Sequence, residues 1–249
     1  MSQLTSPLYL AVIILRYASR NEFLKITFRK ISAEQKAEIF CSAEKHKLVL
    51  YMKKEKLPPI VFRNGKRLYL RPVAKEDLPR ITRWINDPEV THYLKVSFPL
   101  PLEAEEQWFE KLIENKDKDV VVAIVLKKTD ALIGLTGLHR IDYRNGLATT
   151  GSVIGEKSCW SKGYGTEAKM ILLEYAFNTL NLRKICSIVY DFNGRSKRCL
   201  QKCGYREEGR RKEHQYRNGA YRDEFLMAVF KKDFLPLWEK FHTTFFGKT

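Results

Sequence analysis

Residues 158–170 read SCWSKGYGTEAKM, two glycines either side of a tyrosine, directly ahead of an apolar stretch. ATTGSVIG before it and KICSIVY after it are strand-like. Between them Ala168, Ile171, Leu172, Tyr175 and Ala176 recur at helical spacing, which predicts a helix from about Gly165 to Leu180. Strand, helix, strand in that order is the signature of a mixed α/β fold. The quoted loop therefore leads from a strand ending near Glu156 into a helix N-terminus. Backbone N–H groups at such a start have no intrahelical partner and the helix field there is positive, so an anion would satisfy both. Gly163 and Gly165 remove the Cβ atoms that would hold an oxygen-rich group away, and Lys162 adds charge at the rim. Two glycines also make an ordinary turn. The loop is neither a nucleotide-hydrolase phosphate loop nor Gly-x-Gly-x-x-Gly, since Gly165 is followed by Thr166-Glu167-Ala168.

Working outward, Asn64-Gly65 predicts a turn before a strand that Pro72 ends, and Leu78, Ile81, Trp84 and Ile85 mark a short helix closed by Asp87-Pro88. A second helix follows PLPL, with Trp108, Leu112 and Ile113 as its expected core contacts. DVVVAIVLKK suits a central strand and ALIGLTGLHRI the next. Beyond Tyr190 a helix covers about Arg195 to Lys202, and HQYRNGAYRDEFLMAVF is a hairpin turning at Asn218-Gly219. Residues 1–60 read differently: LYLAVIILRY and FLKITFRKI are strand-like, a helix begins near Ser32, and LPP breaks the pattern at Leu57 to Pro59. The expected organisation is a basic N-terminal segment over 1–60, a catalytic-sized domain over 61–235 and a tail over 236–249.

Lysine and arginine number 45 against 29 acids, a formal charge of +16. That excess suits nucleic acid, an acidic protein, an anionic membrane or an anionic cofactor, and charge alone does not choose among them. It is spread along the chain: residues 1–60 carry eleven basic residues against five acids, and residues 61–235 carry 32 against 23. Cys41, Cys159, Cys186, Cys199 and Cys203 form an odd set without metal-ligand spacing, which fits a reducing, cytoplasmic setting and implies no metal. The longest apolar run, Leu8 to Leu15, falls short of the roughly 20 residues that span a bilayer, and it has neither a basic n-region nor a cleavage pattern. No membrane partner is expected.

CWSKGYGTEA, DFNGRSKRCLQKCGYREEGRRKE and YRNGAYRDEFLMAV, preceded by LYLRPVAKEDL, RWINDPEV and FPLPLEAEEQWFEKL, carry a resemblance. From about Lys66 to Lys232 the chain resembles the GNAT acyltransferase superfamily, within it the group of ribosomal-protein alanine and spermidine N-acetyltransferases. The resemblance implies the GNAT acyl-CoA N-acyltransferase fold, a mixed α/β sheet, with an additional N-terminal segment. It also implies that the loop receives the pyrophosphate of acetyl-CoA through Trp160, Ser161, Lys162, Gly163, Tyr164, Gly165 and Thr166. The family pattern begins with Gln or Arg; Trp160 departs from it in the manner common in this subgroup. Ser152, Val153 and Ile154 are implied to lie beside the pantetheine arm, with a backbone N–H near Ile154 as oxyanion donor and Asn193 hydrogen-bonded to the arm.

The implied reaction is direct transfer of acetyl from a thioester to a primary amine, which needs a neutral amine, a stabilised oxyanion and a proton for the leaving thiolate. Many relatives use a tyrosine acid at the position of Leu200, and leucine cannot donate a proton. Ser196 is the candidate donor, with a helix cap as its other reading. Tyr190 and Tyr205 are further hydroxyls. Glu208, Glu213 and Asp223, with His139 at a strand end, are the candidate general bases, and a solvated or salt-bridged side chain is the other and favoured reading of each. Cys159 has no histidine beside it in sequence, which argues against a covalent mechanism. The expected acceptor is a protein N-terminal amine, because Arg206, Arg210, Arg211, Lys212, Arg217 and Arg222 crowd the last hairpin and weigh against a cationic polyamine. A polyamine, aminoglycoside or other small amine is the alternative. A non-catalytic basic protein in contact with RNA or the ribosome is the rival from another class, and a monomer and a homodimer are equally compatible with the sequence.

Overall fold

A computed structural model describes residues 59–246 of the chain. The strand expected at Leu8 to Leu15 and the helix expected near Ser32 lie outside the described residues. A short strand β1 (Arg63–Asn64) turns into β2 (Leu68–Pro72), the turn closed by Gly65 N–H donating to Leu68 O. Helices α1 (Leu78–Ile85), α2 (Pro88–Thr91) and α3 (Leu102–Glu114) follow, then β3 (Val120–Leu126), β4 (Ala131–Asp142) and β5 (Leu147–Ile154). Helix α4 (Tyr164–Glu174) continues into a π-turn over Tyr175–Thr179 and crosses to β6 (Lys184–Tyr190). Helix α5 (Gly194–Lys202), the hairpin strands β7 (Arg206–Arg217) and β8 (Ala220–Phe230), and α6 (Lys231–Phe246) complete the described elements.

The strands form one sheet in the order β1-β2-β3-β4-β5-β6-β8-β7, antiparallel at every step except β5 with β6. Alternation along the strands divides the apolar side chains between two faces. Leu68, Leu70, Val122 and Ile124 pack with α4, α5 and α6 on one side, whereas Tyr69, Ala123 and Val125 pack with α1 and α2 on the other. Helix α4 runs through the first of these cores, and Glu167 through Leu173 are all buried, which is why its sequence reads as apolar with few breaks. The mixed α/β architecture is as the sequence predicts.

Two local expectations differ. Ile113 is 58% exposed, because the buried stripe of α3 passes through Glu105, Trp108 and Phe109 instead. The tail drawn from residue 236 lies largely within α6, which begins at Lys231 and carries Pro236 inside it. Phe234 is fully buried and meets Phe177 at a tilt, ring centroids 5.2 Å apart, while Trp238 and Phe241 pack on the same core.

Candidate active site

Strands β5 and β6 pair only from Leu147↔Lys184 to Thr149↔Cys186. Beyond that point each stays with its outer neighbour, β5 with β4 as far as Gly134↔Ile154 and β6 with β8 as far as Tyr190↔Glu224, so the two halves of the sheet part. A parting sheet leaves backbone polar groups to be satisfied by other means. Thr150 Oγ1 donates to Cys186 O at 3.3 Å, Ser187 Oγ to Thr150 O at 3.2 Å, and Trp160 Nε1 to Ile154 O at 2.6 Å. The opening is a cleft of about 480 Å³, lined by Thr150 to Ile154, Ser187 to Tyr190, the loop ahead of α4 and the first turns of α5.

The loop is anchored at both ends. Lys157 Nζ reaches Asp87 at 2.9 Å and Glu89 at 3.0 Å at the start of α2. Arg67 donates its backbone N–H and Nε to the buried carboxylate of Glu167, each at 2.8 Å, and Nη1 to Lys162 O at 2.8 Å. Ser161 and Gly163 have φ of 60° and 82°, which carries the chain sharply into α4. A Cβ on Gly163 would come within 3.3 Å of Arg67 Nη2, whereas one on Gly165 would meet nothing nearer than Ile154 Cγ1 at 3.7 Å. The space over Gly165 is therefore open, at the end of an eleven-residue helix whose first N–H groups point outward. The free N–H groups and the open space over Gly165 suit an anion.

Ser152, Val153, Ile154, Trp160, Ser161, Gly163, Tyr164, Gly165, Thr166, Asn193 and Ser196 all line this cleft, and Lys162 is exposed at its rim. Asn193 Oδ1 accepts from Ser196 N–H at 3.1 Å, so Asn193 caps α5 and the Ser196 side chain is left to face the cleft. Leu200 is buried in the cleft wall. Tyr205 is buried with its hydroxyl 2.9 Å from Thr150 Oγ1, and burial pushes its pKa well up.

None of the candidate bases lines the cleft. Glu208 pairs with Lys184 at 2.7 Å, and Glu213 is exposed in a bulge between Arg211 and Gln215 with φ of 47°. Asp223 is held by Arg210 and by Glu213 N–H, which keep its carboxyl below the usual range. His139 stands 3.5 Å from Asp119, and burial lowers its pKa against that neighbour's pull. Cys159 lines the cleft without a histidine contact.

Several groups escape the linear reading. The Arg195 guanidinium lies 4.0 Å from the Trp160 ring centroid and 4.6 Å from that of Tyr93, bridging α5, the loop and the segment after α2. Cys199 accepts a hydrogen bond from Thr166 Oγ1 at 3.5 Å, and the buried Lys169 lies on the same helix face as Thr166. The neighbouring Cys203 side chain, helped by Thr166 and Lys169, holds the Cys199 pKa well below the ordinary thiol value; burial pushes the Lys169 pKa down. Glu224 is fully buried opposite Tyr190, with Lys95 Nζ 2.9 Å from Oε1. The spacing Thr166-x-x-Lys169 and Cys199-x-x-x-Cys203 was the available signal for one cluster; Glu224 had none beyond its place in β8. Among the described residues no group of three or more His, Cys, Asp or Glu side chains is placed to hold a metal.

Residues 67–206 match the Acetyltransferase (GNAT) domain family. The chain is a member of the GNAT acetyltransferase family. It is 29% identical over 171 residues to an uncharacterized N-acetyltransferase, p20, of Bacillus licheniformis, covering 68% of this chain and 95% of that protein. It is 28% identical over 170 residues to the spermidine N(1)-acetyltransferase of Escherichia coli K12, covering 67% and 87%. The crystal structure of the spermidine N-acetyltransferase from Vibrio cholerae in complex with CoA and spermine superposes with a TM-score of 0.63 at 26% identity, covering 68% of this chain and 98% of that one. This GNAT enzyme is thus an acetyl-CoA-dependent acyltransferase acting on an amine.

Proposed function

We propose that this acetyltransferase takes a polyamine or a related small alkyl amine as acceptor. The observation that carries the reading is the similarity to spermidine N-acetyltransferases over the catalytic domain, in sequence and in structure. It supports the small-amine alternative better than the protein N-terminus expected from the basic hairpin. The cleft agrees chemically. Tyr93 and Tyr190 line it, with Phe192 stacked on Tyr190 at 5.2 Å, and aromatic faces attract alkylammonium groups.

Acetyl-CoA, when bound, supplies the thioester carbonyl that the amine attacks. The backbone N–H groups of Tyr164, Gly165 and Thr166 suit its pyrophosphate, with Lys162, Arg198 and Lys202 adding positive charge along the same wall. Ser152, Val153 and Ile154, on the stretch of β5 beyond its pairing with β6, suit an extended amide arm, and the Asn193 side chain stands beside them. Ser196 holds at Oγ the proton the thiol side of the reaction requires, in place of the tyrosine that Leu200 cannot supply. Much of the remaining rate comes from holding two substrates in one cleft.

The test is CoA release by the purified chain offered spermidine, spermine, 1,4-diaminobutane and short peptides with free N-termini. Saturable release with the polyamines, and little with the peptides, is expected. Turnover confined to the peptides would overturn the acceptor assignment.

A further inference from the structure

Beneath Lys95 and beside Tyr190, both of which line the cleft, lies a buried carboxylate that does not itself line it. Glu224 is 0% exposed, and among the described residues no donor is aligned on its Oε1 for a hydrogen bond. Burying a carboxylate is costly unless it is both paired and hydrogen-bonded. Oε2 has Arg211 at 3.4 Å and His214 at 3.8 Å. Among the described residues Oε1 has only the ammonium of Lys95 at 2.9 Å, at ion-pair distance but without hydrogen-bond alignment.

Lys95 belongs to the segment between α2 and α3, and its side chain is 58% exposed. A long side chain held in one place from an exposed loop loses rotamer freedom and returns little, so such a contact is easily exchanged. Its chemistry is informative: a primary ammonium at the end of four methylenes is the repeating unit of an aliphatic polyamine. Lys95 and Tyr190 line the cleft, as does Tyr93, and Tyr190 is the cross-strand neighbour of Glu224 on the same face of the sheet.

Building on the proposed acceptor class, we infer that Glu224 is the anionic subsite for a primary alkylammonium group of the acceptor, and that Lys95 occupies it as an internal stand-in which the acceptor displaces. Arg211 and His214 hold the other oxygen and aim the carboxylate. The aromatic walls of Tyr93 and Tyr190 take the methylene chain and the spread charge beside it. The subsite explains how a chain with so many cations accommodates a cationic acceptor: one buried carboxylate behind the cleft wall, reached once Lys95 is displaced, outweighs exposed charge that solvent screens.

The variants Lys95→Met and Glu224→Gln separate this from a merely structural ion pair. Spermidine binding is measured by calorimetry in the presence of CoA, alongside KM and kcat for acetylation. Lys95→Met removes the competitor and keeps the apolar stem, so Kd and KM for spermidine fall about tenfold, the size of one charge-assisted hydrogen bond. Glu224→Gln raises both by at least about tenfold, with KM for acetyl-CoA unchanged. If Lys95→Met binds spermidine no better than the wild type, or Glu224→Gln binds it equally well, the subsite is overturned. Should Glu224→Gln fail to fold, the Lys95→Met result decides. Wild-type protein that binds spermidine with this pattern but releases no CoA would refute the acceptor assignment and leave the subsite standing; wild-type protein that does not bind it refutes the subsite.

Discussion

The guanidinium of Arg195 sits 4.0 Å over the Trp160 indole, whose own N–H is spent on Ile154 O at 2.6 Å. One side chain of the loop thus closes two joints. It ties the loop to the end of β5 and presents a π face to α5, so the loop, the strand and the helix that surround the cleft are joined through one residue.

Arg195→Ala removes the clamp between Trp160 and Tyr93 while leaving the core intact. Cation–π contacts of this kind contribute about 0.5–2 kcal/mol, so KM for both substrates should rise about three- to tenfold. The melting temperature should shift by only a few degrees. Arg195→Lys keeps the charge but not the planar stack, and should recover less than half of the loss. Steady-state kinetics on the three proteins checks this, and full recovery by lysine would reduce the role of Arg195 to charge alone.

The two loop glycines should separate stability from binding. Gly163 has φ of 82°, and a Cβ there meets Arg67 Nη2, so Gly163→Val is expected to cost about 1–2 kcal/mol of stability and to disturb the loop. Gly165 lies inside α4 with open space above it. Gly165→Ala should therefore stabilise the free protein by about 0.5–1 kcal/mol, yet weaken CoA binding by standing in the anion's approach. Thermal melts with and without CoA measure both effects, and an unchanged CoA affinity in Gly165→Ala would remove the phosphate-loop assignment.

The loop was legible because every feature that matters there is local: a strand, two glycines at a turn and an apolar helix, all within one stretch. The hairpin turn at Asn218-Gly219, with φ of 49° and 81°, was equally plain. What could not be read is convergence. Glu224 faces Tyr190 only through the β6–β8 register, and Lys95 reaches it from a segment more than a hundred residues earlier in the chain. Glu208 and Glu213 looked suitable by proximity in sequence, but the bulges between Glu207 and Gly209 and between Arg211 and Gln215 interrupt the alternation on which such placement depends. The helix across residue 235 was hidden by Pro236, a residue that normally ends helices.

Cys199 should react as a thiolate at pH values where ordinary thiols do not. Its pKa is lowered chiefly by the neighbouring Cys203 side chain, then by Thr166 and by Lys169. Because the pKa is depressed, the reactive thiolate persists as pH falls through the usual thiol value of about 8.5 and is lost only below that. Iodoacetamide labelling read by mass spectrometry should show Cys199 modified at pH 7 at near its full rate, and CoA should protect it because Cys199 lines the same cleft. Thr166→Val should move the labelling profile to higher pH. A Cys199 profile matching that of a free thiol would contradict this environment.

Ser196 is the last test of the chemistry. Its backbone N–H is taken up by Asn193 Oδ1 at 3.1 Å, which orients the first turn of α5 without using the hydroxyl. Ser196→Ala therefore leaves the cap intact, and stability should change by under about 0.5 kcal/mol. If the hydroxyl holds the proton for the departing thiol, kcat should fall about a hundredfold, with KM for acetyl-CoA nearly constant. The loss should be smaller for an acyl donor whose thiol has a low pKa, since such a leaving group needs less protonation. Equal losses with both donors would assign Ser196 to positioning, and Leu200→Tyr in the Ser196→Ala background would then ask whether a phenol at the other place in α5 restores turnover.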